Sequence, residues 1–521
     1  MKAVFRDGTG VAVFVALGAL VCAGLLVLPG QTVVSVYVND LFIFLDGAHR
    51  IASGQVPNRD FHTALGPLVY YLPALGYRLT GSLGLAMPAA MALFVALLAP
   101  PMAWILGSRV RPILAVPFAA FLLLIVAVPI NLGEAISALS FAMFYNRVGW
   151  AALALLAIMV LDPERPIRGR VALDALSATL LVALLVYSKV SYGAVAVAAL
   201  GLFLVYPAHR LWAALALAML AVTALLVELA WGGTAAHVAD LRTAGGVSGG
   251  LRGGFVDIAD AVMRNFADYV LLTLVVGLSL WRAPRWRDVL FYGFCAGAGA
   301  VIMIQNSQAW GIITLHAAAL VAAERLMRGA GPAFEERPWA PGAGAPVFIL
   351  ALVLPTIVHC GAALGLHAAL AAERPVSRFA LPGYERIRIA ELWPVTDYGF
   401  SVQFGNGLVD GAQAMADLDP SRIVVLDFVN AFSAGLGVTP PRGDNSWLHW
   451  GRNVDRNHHV PPDRLLGDAR VVLAPRPGIN GPPLWDLYGP AVEAGFDLMR
   501  ETEYWRIYRR REPPAIVSER R

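Results

Sequence analysis

Long apolar blocks alternate with short polar turns through the first 372 positions of the chain. The blocks fall at Val11–Pro29, 84–106, 112–130, 148–161, 171–188, 192–206, 211–230, 269–281, 289–304, 308–326 and 346–370. A helix needs about 20 apolar residues to cross a bilayer. The pattern therefore predicts about eleven transmembrane helices, several of them short or joined by a tight turn. The turns differ in kind. GSRVRP, DPERPIRGR, PAHR, WRAPRWRD and ERLMRGAGPAFEERPW are rich in arginine, and all fall on the side of the N-terminus. Basic loops stay in the cytoplasm, so that side is predicted to be inside. Lys2 and Arg6 precede the first block, which reads as an uncleaved span. The outer side then holds 31–83, 131–147, 189–191, 231–268 and 305–307, and everything after Ala371.

From Glu373 the pattern changes. Charges and prolines rise, and the apolar runs shrink to strand length. Arg422–Phe428 and Ala469–Ala474 read as buried strands, and Tyr504–Tyr508 alternates like a strand. Tyr488–Arg500 has the apolar spacing of a helix. The expected fold class is an α-helical polytopic membrane protein with a C-terminal extracytoplasmic α/β domain. Its transmembrane module spans 1–372 with a long first outer loop, 31–83, and its soluble domain spans 373–521. The expected location is the inner (plasma) membrane, with the C-terminal domain periplasmic or extracellular.

Composition agrees with the pattern. Apolar residues make up 58% of the chain, charged residues only 15%, and mean hydropathy is +0.63, whereas a soluble protein carries about 25% charge. Cys22, Cys295 and Cys360 each sit inside an apolar run and read as small buried hydrophobes. The net charge of +4 does not imply nucleic acid, because the arginines are scattered among short loops. Lysine occurs only as Lys2 and Lys189, which excludes a P-loop ATPase.

Scarce charge makes one stretch stand out. Val38–Leu72 gathers Asp40, Asp46, Asp60, Arg50, Arg59, His49 and His62. Asn39 or Asp40 is placed to cap a helix over Leu41–Ser53. Asp46, His49, Arg50 and Ser53 form a polar stripe on it, the pattern of a helix lying in the membrane interface. Asp46 and Arg50, four apart, read as a surface ion pair. Asp40 has two compatible readings: a helix cap, or a carboxylate at a cavity mouth that takes a proton from a nucleophile. Asp60, in NRDF after a Gly54–Pro57 turn, is a second candidate base or a turn residue.

These residues carry a resemblance. Asp40, Ala48, Gly54, Pro57, Arg59-Asp60-Phe61 and Gly66-Pro67-Leu68-Val69-Tyr70-Tyr71-Leu72 resemble the first outer loop of GT-C glycosyltransferases. The resemblance is closest to the protein-mannosyltransferase and aminoarabinose-transferase-like group. Where many members have an Asp-Glu pair, this chain has Asp40-Leu41. The resemblance implies a donor sugar on a polyprenyl phosphate and a transfer that inverts the anomeric carbon, to an outer-face acceptor such as a glycan, lipid or protein. The phosphate leaves as a stable anion, so the chemistry asks for a base toward the acceptor hydroxyl and cations toward the phosphate.

Candidate catalytic residues are thus Asp40 and Asp60. Lys189, between two apolar runs at an outer helix end, is the leading phosphate-binding candidate; its other reading is a lysine that snorkels to the interface. Arg147, with Tyr145 and Asn146, is the second, or else an interfacial anchor. Arg59, His62 and Asn306 complete the candidate substrate-binding set. Polar residues gathered at one interface favour an enzyme over an exporter of lipid-linked sugar, whose polar groups lie near the midplane; an inactive membrane scaffold is the third reading. Asp444, His449, Asp455, His458 and His459 offer a divalent metal site only as the weaker reading, since H-x8-H-H without cysteines is a poor ligand pattern; exposed loop polarity is the preferred one. No cofactor is predicted.

Overall fold

The computed structural model describes residues 8–248, 255–304, 308, 310–329, 344–373, 379, 381–392, 398–418, 420–476, 478 and 480–511. Every apolar block falls on a helix. Among the described residues six helices are long and apolar enough to cross a membrane: Thr9–Val27, Leu83–Arg109, Arg170–Ser188, Arg210–Trp231, Trp286–Ile304 and Ala345–Ala372. Pro112–Ala127, Phe144–Ile158 and Val190–Phe203 are shorter and apolar, and the two remaining blocks, 269–281 and 308–326, fall on Phe266–Arg282 and Ile313–Gly329. Helices at the periphery leave apolar side chains uncovered, as Val222, Leu225, Leu226 and Leu229 of Arg210–Trp231 show; lipid-facing positions have this character. Pro112–Ala127, Phe144–Ile158 and Ile313–Gly329 lie at the centre, with most of their side chains buried.

The arginine-rich ends are not merely solvated. Arg109 pairs with Asp174 in full burial. Glu324, also buried, accepts from Arg328 Nε at 3.0 Å and from the Arg111 N–H at 3.1 Å. These pairs knit together the helix ends that the loop pattern assigns to the cytoplasm.

Several outer-face expectations are corrected. The first-loop helix runs over Val38–Ala52, and its cap position is Tyr37 with φ 52°, so neither Asn39 nor Asp40 caps it. Nor does its polar stripe face a membrane surface: Asp46, His49 and Arg50 are buried. The segment 231–268 contains two helices, Thr234–Ser248 and Phe255–Arg264. Phe144–Ile158 begins before its apolar block, so Tyr145 and Arg147 stand in a helical first turn rather than in a loop.

The C-terminal region builds a four-stranded sheet in the order Ile423–Val425, Val471–Pro475, Trp505–Arg510, Phe496–Glu501. The first pair is parallel, with Val424 opposite Val472, and the rest are antiparallel. A helix covers Gly481–Gly495. The helix expected over Tyr488–Arg500 therefore stops early, because Phe496–Glu501 pairs with Trp505–Arg510 as a hairpin. A short parallel pairing of Thr32–Val34 with Ile387–Ile389 ties this region to the first loop. Phe42 of the loop helix packs its ring against Phe379, Tyr384 and Phe404 at 4.7–5.5 Å. The first loop and the C-terminal region thus share one core.

The expected topology is checked with an impermeant thiol reagent on intact cells. The three native cysteines are buried, and Arg456 is exposed. Arg456→Cys is expected to label from outside; labelling only after the membrane is broken would invert the topology.

Candidate active site

Three helix N-termini bring the candidate side chains together. Asp40 lies in the first turn of Val38–Ala52, and Tyr145 and Asn146 lie in the first turn of Phe144–Ile158. Lys189 occupies the junction where Arg170–Ser188 ends and Val190–Phe203 begins. Phe44 fixes the first two helices to each other, with its ring 4.9 Å from Phe144 and 6.5 Å from Tyr145. Tyr37 and Met143, the residues that precede these helices, are both non-glycine with positive φ, 52° and 50°. Such conformations cost free energy and gather at functional sites.

The third helix joins through Gly66. The loop N–H of Gly66 donates to Ser188 O at 3.1 Å. A Cβ at that position would stand 2.1 Å from Tyr187 O, so only glycine lets the first loop lie this close to the turn that carries Lys189. Lys189 Nζ donates to Asn146 Oδ1 at 3.2 Å and sits 5.1 Å and 5.8 Å from the ring centres of Tyr145 and Tyr192. Burial, with the nearby Arg452, pulls its ammonium down to about 7.

Asp40 is half-buried. Loss of water pushes its carboxyl up to about 6, against the opposing pull of Arg452. A carboxylate so placed ionises near neutrality, where a general base works best.

Arg452 is the residue that sequence reasoning missed. It belongs to the C-terminal region yet acts electrostatically on Asp40, Tyr145 and Lys189 together. Its guanidinium lies over the Trp447 ring at 5.6 Å. Two cations and three positive helix ends beside one carboxylate make a site suited to an anion.

A buried ion cluster holds the C-terminal region in register with this site. Arg50 Nε donates to Asp46 at 2.6 Å, and its fork donates to both oxygens of Asp444, at 2.7 and 2.8 Å. Pro441 O accepts from Arg50 at 3.0 Å, and His49 Nε2 donates to Val438 O at 2.8 Å. The polar stripe read from the sequence as a surface pair is a buried joint between two parts of the chain.

The other candidates stand in different contacts. Asp60 accepts from the Val56 N–H at 2.8 Å and pairs with Arg442 at 2.6 Å. Arg59 is exposed and donates to Trp231 O at 3.1 Å. His62 pairs through Nδ1 with Asp240 at 2.6 Å. These three tie the far end of the loop to the helix Thr234–Ser248 and to the C-terminal region. Arg147 is buried and donates to Ile130 O at 2.7 Å. Asn306 lies outside the described residues. Of the five polar residues weighed for metal, Asp444 is held by Arg50 and Asp455 pairs with His458 at 3.1 Å. Among the described residues no three His, Cys, Asp or Glu side chains converge as a metal would require.

No family model matches the chain, and no curated protein matches it. Two solved structures do. One is ArnT from Cupriavidus metallidurans bound to undecaprenyl phosphate, with 16% identity, a TM-score of 0.50, and coverage of 95% of this chain and 97% of that one. The other is the same protein in the apo state, with 14% identity, a TM-score of 0.49 and the same coverage. At such identity the likeness is one of fold. This chain shares the fold of that undecaprenyl-phosphate-bound structure over 95% of its length.

Proposed function

We propose that this protein is a membrane glycosyltransferase that moves a sugar from a polyprenyl-phosphate donor to an acceptor at the outer face, with inversion. The observation that carries this reading is that the charge of Arg452 reaches both Asp40 and Lys189, each of which stands at the N-terminus of a helix. Asp40 takes the proton from the acceptor hydroxyl. Lys189 and Arg452 hold the donor phosphate and the charge that grows on it as the glycosidic bond breaks. The chemistry needs no acid, since the leaving phosphate is already an anion. The fold it shares with a protein solved with undecaprenyl phosphate supports a polyprenyl carrier. Asp60, Arg59, His62, Arg147 and Asn306 remain outer-face candidates for donor or acceptor contacts.

Lys189 provides the test. Its ammonium is a compact charge that meets a phosphate oxygen from many angles. A charge-assisted contact contributes roughly 1.5–3 kcal/mol, so Lys189→Ala is expected to cut turnover about ten- to a hundred-fold and to weaken donor binding. Lys189→Arg should recover only part, because the fork is bulky between the two tyrosine rings. Near-normal kinetics in both variants, measured with a polyprenyl-phosphate sugar, would remove Lys189 from the site.

A further inference from the structure

We infer that a cleft in the C-terminal region is a carbohydrate subsite that holds a neutral sugar residue of the acceptor. The inference rests on the reading of the chain as a sugar transferase. The cleft has a volume of about 440 Å³, the size of a ligand pocket rather than of a water cavity. It opens beyond the carboxyl ends of the parallel strands Ile423–Val425 and Val471–Pro475, where Asp427, Phe428 and Gly478 follow. Ligands of α/β sheets bind at this edge because loops leaving parallel strands diverge there.

Its walls are of two kinds. Phe404, Phe428, Phe432, Tyr504 and Trp505 supply rings. Trp505 is locked in place: its Nε1 donates to Gly407 O at 2.6 Å, and Phe432 stands edge-on to it at 5.4 Å. Asn39, Gln403, Asp427 and Asn480 supply polar groups. Asn480 accepts from the Trp450 N–H at 3.1 Å and hydrogen-bonds the Asp427 carboxylate, which also takes the Phe428 N–H. Among the described residues no cation pairs with Asp427, although burial raises its proton affinity. It therefore keeps acceptor capacity for a ligand.

A pyranose fits both walls. Its C–H face packs on aromatic rings, and its rim hydroxyls donate to a carboxylate and exchange hydrogen bonds with amides. A lipid chain would leave the carboxylate and three amides unused, and a simple amine would use Asp427 and leave the amides idle. The position suits an acceptor. Asn39 directly precedes Asp40. On the other side His449 lines the cleft and packs against Trp447 at 5.9 Å, the ring that carries Arg452. A glycan seated here lies against Asn39, next to Asp40 in the chain.

The test uses the full chain in lipid nanodiscs and saturation-transfer NMR with maltose, cellobiose, lactose and methyl α-mannoside. At least one sugar is expected to receive saturation at its ring C–H protons. Asp427→Ala should weaken it about tenfold, and Gln403→Ala, on an exposed helix face, should weaken it without risk to folding. Asp40→Asn and Lys189→Ala should leave sugar binding unchanged. Binding by none of the four sugars, binding indifferent to both Asp427 and Gln403, or saturation of cadaverine or a lyso-phospholipid alone would overturn the inference. Sugar binding that persists while Asp40→Asn retains full transfer would instead overturn the proposed mechanism and leave the subsite standing.

Discussion

Asp40→Asn is expected to lower sugar transfer by about a hundred- to ten-thousand-fold, the contribution of a positioned general base, while the protein still inserts and folds. Asparagine keeps the size of the side chain and cannot accept the hydroxyl proton. The carboxylate makes no helix cap, so its loss removes no capping bond. The pH profile gives an independent reading. Asp40 is pushed up to about 6 and is active when ionised, so kcat/KM should fall about tenfold per unit as pH drops below that value. Lys189 is pulled down to about 7 and grips phosphate when charged, so donor binding by the empty enzyme should weaken as pH rises above it. A phosphate in place pushes the ammonium back up, and the alkaline limb should then retreat at saturating donor. Full activity in Asp40→Asn, or an acid limb unchanged in a slow variant, would remove Asp40 from the role of base.

Arg50→Met is expected to destabilise the protein by about 3–5 kcal/mol, the cost of breaking a buried ion pair and stranding its partners. Arg50 is fully buried between Asp46 and Asp444, and its removal leaves two carboxylates facing each other without a cation. Arg50→Lys should recover little, because an ammonium cannot meet Asp46 and both oxygens of Asp444 at once. Replacing all three residues by apolar ones of similar volume should recover much of the loss. Thermal unfolding of the detergent-solubilised protein measures the stability, and turnover should drop in parallel, since the joint that Arg50 closes ties the C-terminal region that carries Arg452 to the first loop. A melting temperature unchanged in Arg50→Met would show that the cluster carries no stability.

The helices were legible in the sequence because lipid demands long apolar runs, and each of the eleven blocks lies on a helix. Lys189 stood out for a different reason: one lysine in an apolar region of an arginine-rich chain has few ordinary explanations. The state of Asp46 and Arg50 was not legible. Their spacing is the same on a wet surface and in a dry joint, and what distinguishes the two is Asp444, which lies 394 residues from Arg50 along the chain. Arg452 was hidden by the same distance, as one arginine among many until the C-terminal region docks. Phe496–Glu501 was misread because its apolar spacing continues that of the preceding helix. Only the antiparallel partner Trp505–Arg510 decides its conformation. The pairing of Thr32–Val34 with Ile387–Ile389 is three residues long, too short to leave a periodic signal.

Lys189 and Arg452 are proposed to hold the phosphate of a polyprenyl carrier near Asp40. A cryo-electron microscopy structure of the protein with undecaprenyl phosphate tests it most directly. Phosphate density is expected within hydrogen-bond reach of Lys189 Nζ and the Arg452 guanidinium, with the polyprenyl chain leaving toward lipid. Phosphate density at Arg59, His62 or Arg147, with Lys189 still donating to Asn146, would contradict it.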